Sequence, residues 1–265
     1  MEERSSHDHD VFPGPTVGEE RDQSFFSRLP GAFVYPFKGQ GWAIIVAGAV
    51  FFALLGLVRF IVTALTSWMH PYYGILIRLS IWAVTCVIGC ILPAYLLEIL
   101  ARSASGEDEP PDWPSVTTWW EDLLMPVFLI LGAAAVSFLP AWACRFALYY
   151  GLMDNAAPMW VFIAVGVLYF PMALIGVVIF DGLAGLNPIK VFPAITKIAP
   201  AYLVACVMLA IVMGAWVVLG TFLWRRIPVI GSILSGVAML YFLMVEMRIL
   251  GLLYRVHEKR LGWFA

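Results

Sequence analysis

Six runs of apolar residues, 42–68, 73–100, 125–150, 159–180, 201–223 and 229–253, leave this chain of 265 residues few folds to choose from. A helix needs about 20 apolar residues to cross a hydrocarbon layer of about 30 Å, and each run meets that length. Apolar types make up 62% of the chain and charged types 13%, against roughly 45–50% and 25% in soluble domains. The expectation is an all-α membrane protein with six transmembrane helices.

The breaks between the runs are written in helix-stopping residues. His70-Pro71 turns the chain after the first run, because proline disfavours helical geometry in the residue before it. Asp154, Asn155 and Pro158 separate the third from the fourth, and Asp181-Gly182 with Gly185-Leu186-Asn187-Pro188 ends the fourth. Arg225-Arg226-Ile227-Pro228 returns the chain into the sixth. Gly89 and Pro93 in the second run, Pro140 in the third and Pro171 in the fourth are the positions where a span could itself be interrupted.

Basic residues near span ends orient such a chain. Placing the N-terminus in the cytoplasm collects Arg4, Arg21, Arg28, Lys38, Arg102, Lys190, Lys197, Arg248, Arg255, Lys259 and Arg260 there, eleven of the sixteen. The other half holds Arg59, Arg78, Arg145, Arg225 and Arg226. Both termini are therefore expected in the cytoplasm. Residues 1–24 are polar and aperiodic and read as a disordered tail, in which His7 and His9 are solvated rather than metal-binding. They also lack the basic start and short apolar core of a cleavable signal. Residues 25–41 mix aromatic and basic groups suited to headgroup depth, residues 42–253 form the transmembrane domain, and residues 254–265 form an interfacial tail.

Two stretches between the runs share a punctuation. Pro114 and Pro126 are twelve residues apart, as are Pro188 and Pro200. The first, preceded by the acidic turn 106–111, carries Trp113, Trp119 and Trp120; the second carries Lys190 and Lys197. Both read as helices on the cytoplasmic membrane surface, with these residues and Trp263 as interfacial anchors. Span, acidic segment, span then corresponds to span, basic segment, span, a parallel internal repeat. The charges of Asp112, Glu121 and Asp122 and those of the two lysines either attract one another or leave each segment separately at the headgroups.

Ionisable groups inside spans are costly and are default functional candidates. Glu98, Asp181 and Glu246 fall near the cytoplasmic ends of the even-numbered spans and form a candidate intramembrane polar cluster: a proton or cation relay, or ion pairs that fix helix register. Glu98 has Arg102 one turn later, the favourable order for a helical pair, whereas Arg248, two residues from Glu246, must face elsewhere. In the outer half, Arg59, Arg78 and Arg145 have no acid at their depth; they are candidate contacts for a lipid or another anion, with snorkelling to the headgroups as the alternative. Cys86, Cys90, Cys144 and Cys206 lie in apolar runs without metal-site spacing and read as small apolar side chains. Ser137 and Ser235 are lone hydroxyls in apolar helices, and Gly231 with Ser235 offers a small-residue packing face.

The segments AFVYPFKGQGW (32–42), YLLEILARSASGEDEPPDWP (95–114), NPIKVFPAI (187–195) and LLYRVHEKRLGWF (252–264) resemble a family of bacterial membrane proteins, the domain of unknown function numbered four thousand and thirteen. The resemblance covers nearly the whole chain after its tail. It implies a multi-pass bacterial inner-membrane protein with no assigned reaction and no catalytic residues to carry over.

No phosphate-binding Gly-rich loop, His-Glu-x-x-His or Gly-x-Ser-x-Gly motif occurs in the sequence, and a net charge of −2 without a basic tract gives no reason to expect nucleic acid. The expected function is that of a structural or interaction subunit of the inner membrane, lipid-binding, non-catalytic and without cofactor, with other membrane-protein subunits docking on its cytoplasmic face. The competing class is a transporter or channel-like protein for a small solute or lipid.

Overall fold

The computed structural model describes residues 17–66, 68, 71–112, 118–226 and 228–263, and among these every regular element is helical. Among the described residues five helices are long and apolar enough to cross a membrane: Gly41–Thr66, Trp120–Tyr149, Ala157–Ile179, Ala199–Leu223 and Ile233–Leu261. Even the 23 residues of the third reach about 35 Å at a rise of about 1.5 Å per residue.

The chain begins with α1 (Val17–Val34), so residues 17–24, which composition assigns to a disordered tail, belong to a helix. Nor does α1 lie free. Phe25, Leu29 and Ala32 are buried, Phe25 meets His257 edge-on at 6.1 Å, and the Phe33 carbonyl accepts a hydrogen bond from the Tyr241 hydroxyl at 2.9 Å. It runs back along α9 (Pro228–Leu261). A short 3-10 turn, Tyr35–Phe37, leads into α2 (Gly41–Thr66).

The second apolar run is not one helix. It divides at Cys90 into α3 (Pro71–Gly89) and α4 (Ile91–Ser105). Pro93 supplies the reason: it has no N–H to offer the carbonyl four residues back, Gly89, and its ring crowds that carbonyl. Pro140 and Pro171, by contrast, stand inside unbroken helices, α5 (Met125–Tyr149) and α6 (Ala157–Ile179).

The two proline-framed stretches take different forms. Residues 113–117, with Trp113 and Pro114, lie outside the described residues. From Trp120 to Leu124 the chain makes a π-helical turn that passes directly into α5, of which Pro126 is the second residue. The expected separate surface helix ending at Pro126 is thus, over 120–124, the start of a spanning helix. The second stretch does form its own short amphipathic helix, α7 (Pro188–Lys197). Asn187 caps it by accepting from the Ile189 N–H, and it buries Val191 and Ala194 while exposing Ile189 and Phe192. It is followed by α8 (Ala199–Arg226).

Burial is uneven along the helices. The buried part is the N-terminal end of α2, α5 and α8 and the C-terminal end of α6 and α9, joined by most of α4. Ile99, Leu100, Met172, Ile175, Ile249 and Leu253 are among the side chains wholly enclosed there. At the other ends Phe60, Leu65, Trp82, Trp142, Trp160 and Phe222 are exposed. Close packing depends on small residues: α5 buries the stripe Leu129, Ala133, Ser137, Ala141, and a Cβ on Gly166 of α6 would come within 2.6 Å of the Ser137 carbonyl. The Ser137 hydroxyl bonds back to the Ala133 carbonyl at 2.6 Å, as a lone hydroxyl in an apolar helix is expected to. Likewise a Cβ on Gly251 would come within 2.9 Å of the Leu100 carbonyl, which locks α9 against α4.

Candidate functional site

The buried end of the bundle carries a charged fastening built on the C-terminus of α4. Helix α4 ends at Gly106, whose left-handed φ of 99° lets its own N–H and that of Glu107 return to the Arg102 carbonyl, both at 2.9 Å. The Arg255 guanidinium lies against Gly106 so closely that a Cβ there would overlap it, and Arg255 donates to the Gly106 carbonyl at 2.8 Å. Arg248, two helical turns earlier and so on the same face of α9, reaches the next residues of the loop. It donates to the Ser103 hydroxyl at 3.2 Å, to the Glu107 carbonyl and to the Asp108 carboxylate. Its guanidinium also sits 4.6 Å from the centre of the Tyr35 ring.

The loop is held from its other side by the α1–α2 junction. Tyr35 donates to the Glu109 carbonyl at 3.2 Å, and Pro110 and Pro111 are buried. Burial raises the Tyr35 phenol above its ordinary value, which keeps it a donor. The hydrogen bond from Arg248 holds the Asp108 carboxyl below the usual carboxylate range, against a smaller opposing effect of burial. A second ion pair, Arg102 to Glu98 at 2.8 Å with Glu107 at 3.5 Å, stands beside this fastening on α4.

The three acids expected to form one cluster have three different surroundings. Glu98 is paired with Arg102, as its spacing anticipates. Glu246 is buried on α9, with Oε1 lacking a hydrogen-bond partner among the described residues. Asp181 is exposed in the turn after α6, at a φ of 47°. Among the described residues no group of three His, Cys, Asp or Glu side chains is placed to hold a metal ion.

Of the arginines of the other half, Arg78 donates to the buried Thr66 hydroxyl at 3.1 Å across the α2–α3 turn. Arg145 is exposed on α5, and Arg59 stands on α2 with its side chain outside the described set. The interfacial anchors divide as well. Trp119 and Trp120 are exposed and meet edge to face at 6.1 Å. Trp263 stacks on Phe180 at 5.2 Å and on Tyr254 at 5.8 Å, and Lys190 sits 4.2 Å above the Phe180 ring. Lys197 donates to the Leu261 carbonyl at 2.9 Å, at the end of α9. Both lysines are therefore engaged with the C-terminal tail and the α6 turn, while the acidic loop is met by the arginines of α9.

Beside the break at Cys90 is an apolar cleft of about 340 Å³ lined by Phe51, Phe52, Leu55, Gly89, Ile91 and Leu92 among others, with Thr85 and Tyr95 as its polar side chains. The Tyr95 hydroxyl is buried and has no hydrogen-bond partner among the described residues.

Sequence reasoning placed Arg248 away from Glu246 but did not find its partners. The available signal was the seven-residue spacing of Arg248 and Arg255, which puts two cations on one stripe of a helix, one near the end of the apolar run and one just past it.

These features define a class: an all-helical protein with helices that can cross a membrane, tied at one end by a charged loop fastening. Compared with protein-family models, curated proteins and solved structures, the chain matches none.

Proposed function

We propose that the chain is a multi-pass protein of a bacterial inner membrane, with six crossings and both termini in the cytoplasm, that serves as a structural or interaction subunit and binds lipid without catalysing a reaction. The observation that carries this reading is the asymmetry of the bundle. One end is a packed core closed by the fastening of 106–108 onto α9, and the other presents apolar side chains to its surroundings, as a lipid-facing half would. The alternation of the buried end along successive helices supports an up-and-down path, with α3 and α4 together making the second crossing. We further propose membership of the family resembled by the 95–114 and 252–264 segments.

In this reading Glu98, Arg102, Arg248 and Asp108 hold the structure, and the exposed Trp119 and Trp120 on the cytoplasmic side face a partner subunit. Arg59, Arg78 and Arg145 meet lipid phosphate in the outer leaflet. Purification in a gentle detergent tests this: a membrane-protein partner is expected at a fixed ratio, lost when Trp119 and Trp120 are both changed to Ala. A chain that purifies alone from native membranes, with the same lipid content after Arg59→Leu and Arg78→Leu, would count against it.

A second reading is favoured by one observation, the broken helix beside an apolar cleft. Interrupted helices at a cavity are a feature of transporters, and the lining suits a lipid chain better than a polar solute. Gly89→Leu, which projects into open space, is expected to fill the cleft; loss of a lipid-transfer activity with intact folding would support transport over scaffolding.

A further inference from the structure

A polar pocket of about 380 Å³ opens beside the fastening, lined by Ser27, Arg28, Lys38, Asp108, Arg248 and Arg255, with Gly31 and Leu252. Its cations come from three elements, α1, the turn after residue 37, and α9, and its carboxylate from the loop after α4. Four cations face it and one carboxylate, and that carboxylate, Asp108, is already paired with Arg248. Arg255 uses one nitrogen on the Gly106 carbonyl. Arg28, Lys38 and Arg255 have no ion-pair partner among the described residues. Positive groups gathered around one cavity repel one another and focus a field that attracts anions.

The depth of the pocket indicates what kind of anion. Measured from Pro228, the first residue of α9, Arg248 lies about 30 Å along the helix at about 1.5 Å per residue, which is about the thickness of the hydrocarbon layer. Next in the chain to pocket residues Ser27 and Lys38, Phe26 and Phe37 are exposed, as is Trp42 at the start of α2, aromatic groups of the kind that sit at headgroup level. A cationic pocket at that depth is met by phosphate, whether carried by a lipid headgroup or free in the adjoining water.

We propose that this pocket is a binding site for an anionic phosphate group, held by Arg28, Lys38 and Arg255 beside the Arg248–Asp108 pair. It is separate from the arginines of the outer half, and its test leaves those untouched. The full chain in mild detergent is offered equal amounts of phosphatidylglycerol and phosphatidylcholine, and retained lipid is counted by native mass spectrometry. In a second arm its thermal unfolding is followed in inorganic phosphate against chloride at equal ionic strength. Each arm is repeated with Arg28→Gln/Lys38→Gln, two exposed positions, and with Lys259→Gln, an exposed cation outside the pocket.

Preferential retention of phosphatidylglycerol, reduced about twenty-five-fold in the double variant at about fivefold per basic group near a membrane surface and unchanged in Lys259→Gln, supports a headgroup site. Stabilisation by inorganic phosphate that the double variant loses and Lys259→Gln keeps supports a free-phosphate site. If neither probe separates the double variant from the wild type, or if Lys259→Gln loses as much, the proposal is overturned.

Discussion

At Gly106 two constraints meet in one residue, a left-handed backbone and a guanidinium packed where a side chain would stand. Gly106→Ala is expected to lower stability by about 1–3 kcal/mol, the cost of a non-glycine residue in a sparsely populated backbone region, increased by displacement of Arg255. Gly151 supplies the comparison, since its φ is 68° and a Cβ there meets nothing within 4 Å. Gly151→Ala should therefore show the backbone cost alone. Thermal unfolding in detergent checks the pair; equal losses would remove the role assigned to Arg255.

Asp108 gives a pH dependence with a defined sign. Its carboxyl is held below its ordinary value in the fold, so the pair with Arg248 stabilises the fold above about pH 4, where an unfolded Asp is ionised, and the contribution is lost as pH falls through the folded value. Because the Asp108 side chain is 71% exposed, the effect is small, about 1 kcal/mol or less. The wild type is expected to unfold at a higher temperature than Asp108→Asn at pH 7, with the gap narrowing toward pH 3. A gap that widens on acidification contradicts the pairing.

Among the elements, the broken second span and the end of α9 are the most informative. Pro93→Ala restores an N–H able to reach the Gly89 carbonyl, so hydrogen exchange around 89–93 should slow as α3 and α4 join; unchanged exchange would mean that the break has another cause. Lys197 places a cation on the last carbonyls of α9, worth about 0.3–1 kcal/mol for a charge at a helix C-terminus. Lys197→Met should fray the final turn, seen as faster exchange or proteolysis after residue 255, with the bundle intact. What the sequence made legible here is what local periodicity encodes: the apolar helices, Glu98 with Arg102, the back-bonded Ser137, and Gly89 to Pro93 as a place where a span could break. The continuity from Trp120 into α5 was not legible, because a proline is expected to stop a helix in mid-course, whereas here a π-helical turn leads up to Pro126 without ending the helix. Nor were the partners of Arg248. Asp108 stands 140 residues away, and no spacing rule reports which loop a helix will meet.

For the molecule as a whole, burial concentrates at one end, where α1, the 106–112 loop and the second half of α9 close over the core. Helix α9 has 34 residues, about 51 Å long, so it outruns even the roughly 40–45 Å of a bilayer with its headgroups. The excess carries Arg255, Lys259 and Arg260, the distribution expected from the orientation proposed above.

That orientation and the membrane-spanning bundle are tested together by two single-cysteine chains in a background with Cys86, Cys90, Cys144 and Cys206 changed to Ala. One carries Glu109→Cys in the fastened loop and the other Asp154→Cys between α5 and α6, both exposed positions. With a membrane-impermeant maleimide added to one side of the intact membrane, from outside the cell, Asp154→Cys is expected to react at once and Glu109→Cys only after lysis. The reverse order would invert the orientation, and reaction of both from the same side would contradict a spanning bundle.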